Sequence, residues 1–374
     1  MSARDRFEGK QGVRRGCLGF WPRRKGGLVR GLRIWLVLVV AGAVLQGCRG
    51  SASQEQASGQ SVLEIVRSAV PLTSGEPALH NPAWAPRGDL IAASGVDDNS
   101  LWVLGVDSLP PRQVVSGQSV GGAFTWCVDG RCLAFRQAEY HGRRRLWKVR
   151  VLHVRSSLIY DVAGPAPRVS PPRWDPPSKT LYFTERGNPR LFRLAMTDTG
   201  LVSEPLTLKA WAEQSEAGTL VFEKGAGLEV YTAGKTAPVR CALPGEAQIL
   251  NPAVSPNGKL VAFESTSGDS LFVFDLVTGR TRPLGVGHAP VWSPLGDYLA
   301  CVVLREDGLR LLSSDLVLVD SRSGERLQVT DTPDRLEGHP SWAPNGERLV
   351  YHEQRDGKLY LAEFKHVYAT PPER

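Results

Sequence analysis

Three histidines in this 374-residue chain stand at nearly the same place in a repeated segment. His80 and His288 each lie four residues before a repeat position held by tryptophan, and His339 lies three before. Neutral imidazole is a common ligand for zinc, manganese or iron, so histidines that meet in space can hold a divalent metal. The same side chains serve equally well as hydrogen-bonding groups within their own repeat. No H-E-x-x-H pair and no carboxylate cluster accompanies them in the sequence, which tilts the reading towards structure. Gly117-Gln118-Ser119-Val120-Gly121 matches the G-x-S-x-G pattern of serine hydrolases. That motif works only on a strand-to-helix turn that exposes the serine. Here it joins two strand-like segments with no helical pattern behind it, so no nucleophile is expected.

Two further groups have chemistry to offer. Cys127 and Cys132 flank a Val-Asp-Gly-Arg turn. Facing positions across a hairpin approach disulfide distance, so a disulfide and a pair of free thiols are both open. Cys301 takes a Phe/Tyr position of the repeat and reads as core, while Cys241 has no assignment. His141, Arg143, Arg144, Arg145, Lys148 and Arg150 form a basic run. It reads as a solvated hairpin loop or as a contact for an anionic ligand.

The elements that must position these residues are copies of one unit. Asn81-Pro-Ala-Trp84-Ala-Pro-Arg-Gly88 is matched by Asn251-Pro-Ala-Val-Ser-Pro-Asn-Gly258, by Ala289-Pro-Val-Trp292-Ser-Pro-Leu-Gly296 and by His339-Pro-Ser-Trp342-Ala-Pro-Asn-Gly346. An apolar strand such as Leu260-Val-Ala-Phe263 follows each one. Looser copies centre on Trp126 and Trp174, and the weakest runs from Ala210-Trp211 to Phe222. In the four clear copies the tryptophan, replaced by Val254 in the one at Asn251, ends one strand, Pro and Gly make a tight turn, and an apolar strand returns. The middle strands are apolar without alternation, so both of their faces must be buried. Trp84, Trp126, Trp174, Trp292 and Trp342 are therefore structural markers of the repeat.

These segments resemble the PD40 (WD40-like) motif of TolB-type β-propellers, roughly Pro-x-Trp-Ser-Pro-Asp-Gly. The resemblance covers residues 63–366. It implies an all-β fold of four-stranded antiparallel blades arranged in a ring. Seven copies spaced roughly 40–50 residues apart predict seven blades, with six or eight left open by the degenerate fourth copy. The last copy lacks a fourth strand. Ser68–Thr73 resembles the outer-strand segment Arg282–Gly285, so the N-terminal strand is expected to close the ring by completing the last blade. Closure makes the first, sixth and seventh repeats neighbours. His80, His288 and His339 would then converge at one mouth of the channel, as in the metal-binding oligogalacturonate lyases of related architecture.

The chain's net charge of +7 misleads. Residues 1–33 hold ten Lys/Arg against two Asp/Glu, a net +8, which leaves −1 for the remainder. The basic balance is that of an address, and nucleic acid is excluded as a partner of the folded part. An apolar run of twelve residues, Ile34–Leu45, follows; it is too short to span a bilayer but suits a signal peptide. It ends in Leu45-Gln46-Gly47-Cys48, which resembles the lipobox of bacterial lipoproteins. The organisation expected is a signal peptide over 1–47, lipidation at Cys48, a flexible polar tether over 48–62, the propeller over 63–366 and a tail over 367–374. The expected product is exported and held by lipid at the periplasmic face or the cell surface. It would be a monomeric, non-catalytic module without cofactor that binds an envelope protein or a glycan. The alternative is a metal-dependent polysaccharide lyase or hydrolase using the histidines at the mouth.

Overall fold

The computed structural model describes residues 61–368 apart from 107–109, 198–199, 244–246, 267 and 269. The signal peptide, Cys48, nearly all of the tether and residues 369–374 lie outside the described residues. Among the described residues no helix is long and apolar enough to cross a membrane.

Seven antiparallel sheets follow one another along the chain. Blades 1 to 3 cover Leu79–Ser116, Phe124–Ala166 and Arg173–Leu206. Blade 4 is Thr219–Cys241, blade 5 Ile249–Val286 and blade 6 His288–Gln328. Blade 7 takes three strands from Glu337–Tyr368 and its fourth from Ser61–Pro71, which pairs antiparallel with Lys358–Tyr368 from Ser61↔Tyr368 to Pro71↔Tyr360. The ring is therefore closed by the N-terminal strand, as expected, and that strand starts two residues before the boundary read from the sequence.

Within a blade the strands run A to D from the inside out. The A strands of blades 2 and 3, 5 and 6, 6 and 7, and 7 and 1 pack on one another. Because the strands are antiparallel, the A–B and C–D connections share one face of the ring, here the turn face. The B–C and D–A connections share the other, here the arm face. Ser61 begins a D strand and so emerges on the turn face.

Three of the repeat tryptophans sew the blades together. Trp126, Trp292 and Trp342 are each less than a tenth exposed. The indole N–H of each donates to an A-strand carbonyl of the preceding blade: Ala83 at 2.9 Å, Ala253 at 2.9 Å and Val291 at 3.3 Å. Each ring contributes roughly 4–6 kcal/mol gross by burial. A blade alone cannot bury these faces, so the ring is the folding unit.

Blade 4 departs from the repeat. The sequence placed Trp211 in a strand, but Leu208–Gln214 is a helix, α1, capped by Thr207, whose hydroxyl accepts the Ala210 N–H at 3.1 Å. The segment has no proline and no β-branched residue between the cap and Gln214, and its Lys, Ala, Glu and Gln favour helix. Trp211 still fills its slot, fully buried, with its indole N–H 3.0 Å from the Ser178 hydroxyl of blade 3. Blade 4 itself keeps three strands.

Candidate functional site

The A strands of blades 1, 5, 6 and 7 enter the ring through one device. Asn81, Asn251, Ala289 and His339 each precede a proline and each adopt the left-handed conformation, at φ +47°, +49°, +50° and +48°. A bulge accompanies each, between His80/Ala83, Leu250/Ala253, His288/Val291 and Gly338/Ser341. Left-handed backbone is costly for non-glycine residues, and a residue before proline resists the helical regions further. The bulge turns backbone N–H groups sideways towards the preceding blade. The Ala289 N–H donates to Glu264 of blade 5 at 2.5 Å, and the Asn81 N–H donates to Nδ1 of His352 of blade 7 at 3.4 Å. Glu264 and His352 occupy the same position near the end of strand B, opposite Leu250 and Gly338.

This device sorts the three sequence candidates. His80 and His339 come together at the seam of blades 7 and 1, but around His352, which the sequence reading missed. The His80 and His352 rings lie 6.0 Å apart, and His339 stacks on His352 at 5.3 Å. Nε2 of His80 contacts Oδ1 of Asp98 at 2.9 Å. His288 sits instead at the seam of blades 5 and 6, with Nδ1 3.2 Å from Glu264. His339 is also one residue out of register with the other two, being the left-handed residue itself. The one group of three His, Cys, Asp or Glu donor atoms within 4.8 Å of one another among the described residues is Cys127, Asp129 and Cys132. Those two cysteines are bonded to each other across the turn, with Cα atoms 5.3 Å apart.

His352 is 6 % exposed and faces two other imidazoles. Burial, then His339 and His80, push its pKa down to about 3. It is therefore neutral at ordinary pH, as a ring accepting an N–H must be. His339 is also held below the usual histidine range by desolvation and by His80. Aligning the copies would have revealed His352: the residue after the core position of strand B is Ser94, Glu264, Val302 or His352.

Two long hairpins flank this seam on the arm face. In blade 2 the B and C strands are Cys132–His141 and Arg144–His153, and in blade 6 they are Tyr298–Glu306 and Leu311–Asp320. The same strands of blades 1 and 5 have six residues each. Three or four extra residues project each arm roughly 10 Å further.

The blade 2 arm is braced along its length. Lys148 bridges Glu139 at 2.9 Å and Asp161 at 3.2 Å, and Arg150 binds Asp161 at 2.7 Å and Gln137 at 2.8 Å. Arg136 and Arg145 both lie over the Trp147 ring, at 4.0 and 4.2 Å. Of the basic run, Lys148 and Arg150 are thus internally paired. Arg145 folds back to the Ser119 hydroxyl at 2.6 Å. Arg143 and Arg144 stand exposed at the tip beside Tyr140. The Ser119 hydroxyl of the G-x-S-x-G segment thus accepts from an arginine, and the chain after it enters a strand, Phe124–Trp126. The blade 6 arm carries apolar residues: Leu309 is 94 % exposed, and Leu304, Leu311 and Leu312 are each more than a third exposed.

No protein-family model matches the chain. Dipeptidyl-peptidase 5 of Porphyromonas gingivalis is 22% identical over 287 residues, 70% of this chain and 41% of that protein. The Tol-Pal system protein TolB of Francisella tularensis subsp. holarctica is 31% identical over 104 residues, 26% of this chain and 23% of its own length. TolB of Gluconobacter oxydans is 41% identical over 64 residues, 17% of this chain and 14% of its own. The chain thus spans less than half the length of these relatives. Among solved structures, a chain of the mitotic checkpoint complex superposes with TM-score 0.55 at 17% identity, covering 89% of this chain and all of its own. The Cps50 (Swd1) propeller domain of Myceliophteria thermophila gives 0.55 at 13% identity, covering 81% of this chain and 99% of its own. Those two likenesses concern the fold alone. The chain is a seven-bladed β-propeller, and the partial TolB matches, taken with the repeat, support a TolB-like kind.

Proposed function

We propose that this chain is an envelope-anchored, non-catalytic interaction module that takes a protein partner on its arm face. The observation that carries the reading is the pair of arms on blades 2 and 6. They present Tyr140, Arg143 and Arg144 on one side and Leu304, Leu309, Leu311 and Leu312 on the other, and they straddle the seam of blades 7 and 1. Exposed leucines gathered on one hairpin mark a contact surface, and aromatic and arginine side chains dominate binding energy at protein interfaces. The partial likeness to TolB, a Tol-Pal system protein by name, supports an envelope setting. Lipid at Cys48 would hold the chain by the tether that leads to Ser61, on the face opposite the arms. The histidines fit this reading as seam fasteners, since His352 and Glu264 are engaged by backbone N–H groups of the next blade.

The test is amine crosslinking of intact cells that express either the chain or a variant with Arg305–Leu312 shortened to a two-residue turn. The variant is expected to melt like the parent and to lose the parent's higher-mass adduct. Equal adducts from both would refute the role of the arm. A Cys48→Ser variant that stays in the membrane fraction would refute the anchor.

A further inference from the structure

We propose that the turn face carries a separate site, between blades 1 and 2, for an anionic amphiphile: a phosphate or carboxylate headgroup joined to a hydrocarbon body. A cavity of about 880 Å³ opens there, within the range of small-molecule pockets. Four arginines line it, each from a different connection. Arg87 lies in the A–B turn of blade 1, Arg112 at the start of its D strand, Arg131 in the A–B turn of blade 2 and Arg155 just after its C strand. A single carboxylate, Asp89, lines it with them, while Leu90, Val103, Leu104 and Val154 supply an apolar wall.

The guanidiniums are weakly committed. Arg87 meets Asp89 only at 3.8 Å, and Arg131 meets Asp129 only at 4.0 Å. Arg155 is exposed and has no described partner. Arg112 is anchored to the Val154 carbonyl at 3.1 Å, which fixes one positive charge at the rim. Guanidinium forks match phosphate and carboxylate oxygens, and the adjoining leucines and valines favour hydrocarbon over water.

The seam is also built differently here. At seams 7–1, 5–6 and 6–7 the glycine of one A–B turn faces a proline of the preceding turn: Gly88 on Pro344, Gly296 on Pro256 and Gly346 on Pro294. At seam 1–2 Gly130 faces the stem of Arg87, with a Cβ placed there only 3.0 Å from Cγ. A flexible cationic side chain stands where those three seams have a rigid ring. The cavity shares its face with Ser61.

The headgroup could belong to a bilayer lipid or to a free amphiphile. Calorimetric titration of the purified full chain with dodecyl phosphate, below its micellar concentration, tests the shared chemistry. Saturable binding is expected. It should weaken at least tenfold in Arg87→Gln/Arg131→Gln/Arg155→Gln and in the single variant Arg155→Glu, with melting unchanged. Arg280→Gln/Arg322→Gln, exposed on the turn face outside the cavity, should bind as the parent does. Absence of binding, equal binding by dodecyl maltoside or inorganic phosphate, or equal binding by the arginine variants would overturn the site. Co-sedimentation of the Cys48→Ser chain, which cannot be lipidated, with phosphatidylglycerol vesicles but not phosphatidylcholine vesicles, lost when the triple substitution is added, would support a bilayer source. Binding of dodecyl phosphate without sedimentation would support a free amphiphile. Neither readout needs a protein partner or the lipid anchor, so failure here and failure of the proposed function are distinguishable.

Discussion

His352 joins the first and last blades by accepting the Asn81 N–H, and it can do so only while neutral. Its folded pKa of about 3 lies below the ordinary 6.5. The folded chain therefore binds fewer protons than the unfolded chain between those values. This contribution is intact above about pH 6.5 and is lost as pH falls towards 3, at about 1.4 kcal/mol per pH unit. His339, which stacks on His352 and is held low as well, adds to the loss in the same direction. Denaturant titrations across that range should show a flatter slope for His352→Gln, whose amide oxygen accepts without titrating. At Cys127 and Cys132 the sequence left disulfide and thiols open, and the structure has the bond. Peptide mapping should find both cysteines resistant to alkylation in denaturant until they are reduced. Closing so short a loop stabilises by about 2 kcal/mol in the chain-entropy model, which is the loss expected for Cys127→Ser/Cys132→Ser.

At the scale of elements, helix α1 shows what a repeat needs in order to survive degeneration. The fourth copy lost its proline and its strand but kept a tryptophan to fill the gap between blades 3 and 4. Trp211→Ala should cost about 3–5 kcal/mol, read from denaturant melts, despite its non-strand context. Thr207→Ala should cost about 1 kcal/mol through loss of the cap. Four copies were legible because Pro, Trp and Gly at fixed spacing specify a bulge, a seam contact and a turn. The helix was harder to read because the tryptophan invites alignment with the strands, while the cap and the helix formers around it are weak local signals. The arms were half legible. The basic run pointed to an exposed tip, but nothing local showed that Lys148, Arg150 and Arg145 turn inward. Leu304, Leu309, Leu311 and Leu312 look in sequence like the core of a strand. Only the count of residues in the hairpin places them beyond the ring.

For the whole molecule, closure decides both stability and orientation. The strand Ser61–Pro71 covers the edge of Lys358–Tyr368, so a chain beginning at Thr73 should lose a single cooperative melt and aggregate through that edge. The same strand places Ser61 on the turn face, opposite the arms. Ring order was legible from the repeat, and so was the nearness of His80 and His339. The separation of His288 was not, because it depends on which blade supplies the acceptor, Glu264 rather than His352. The most direct measurement of the central claim is site-specific photo-crosslinking in intact cells. A benzophenone amino acid would replace Tyr140, Leu309 or, on the turn face, the exposed Val277. Adducts of one discrete mass from Tyr140 and Leu309, and none from Val277, are the predicted result. Adducts from Val277 alone, or from none of the three, would contradict a partner on the arm face.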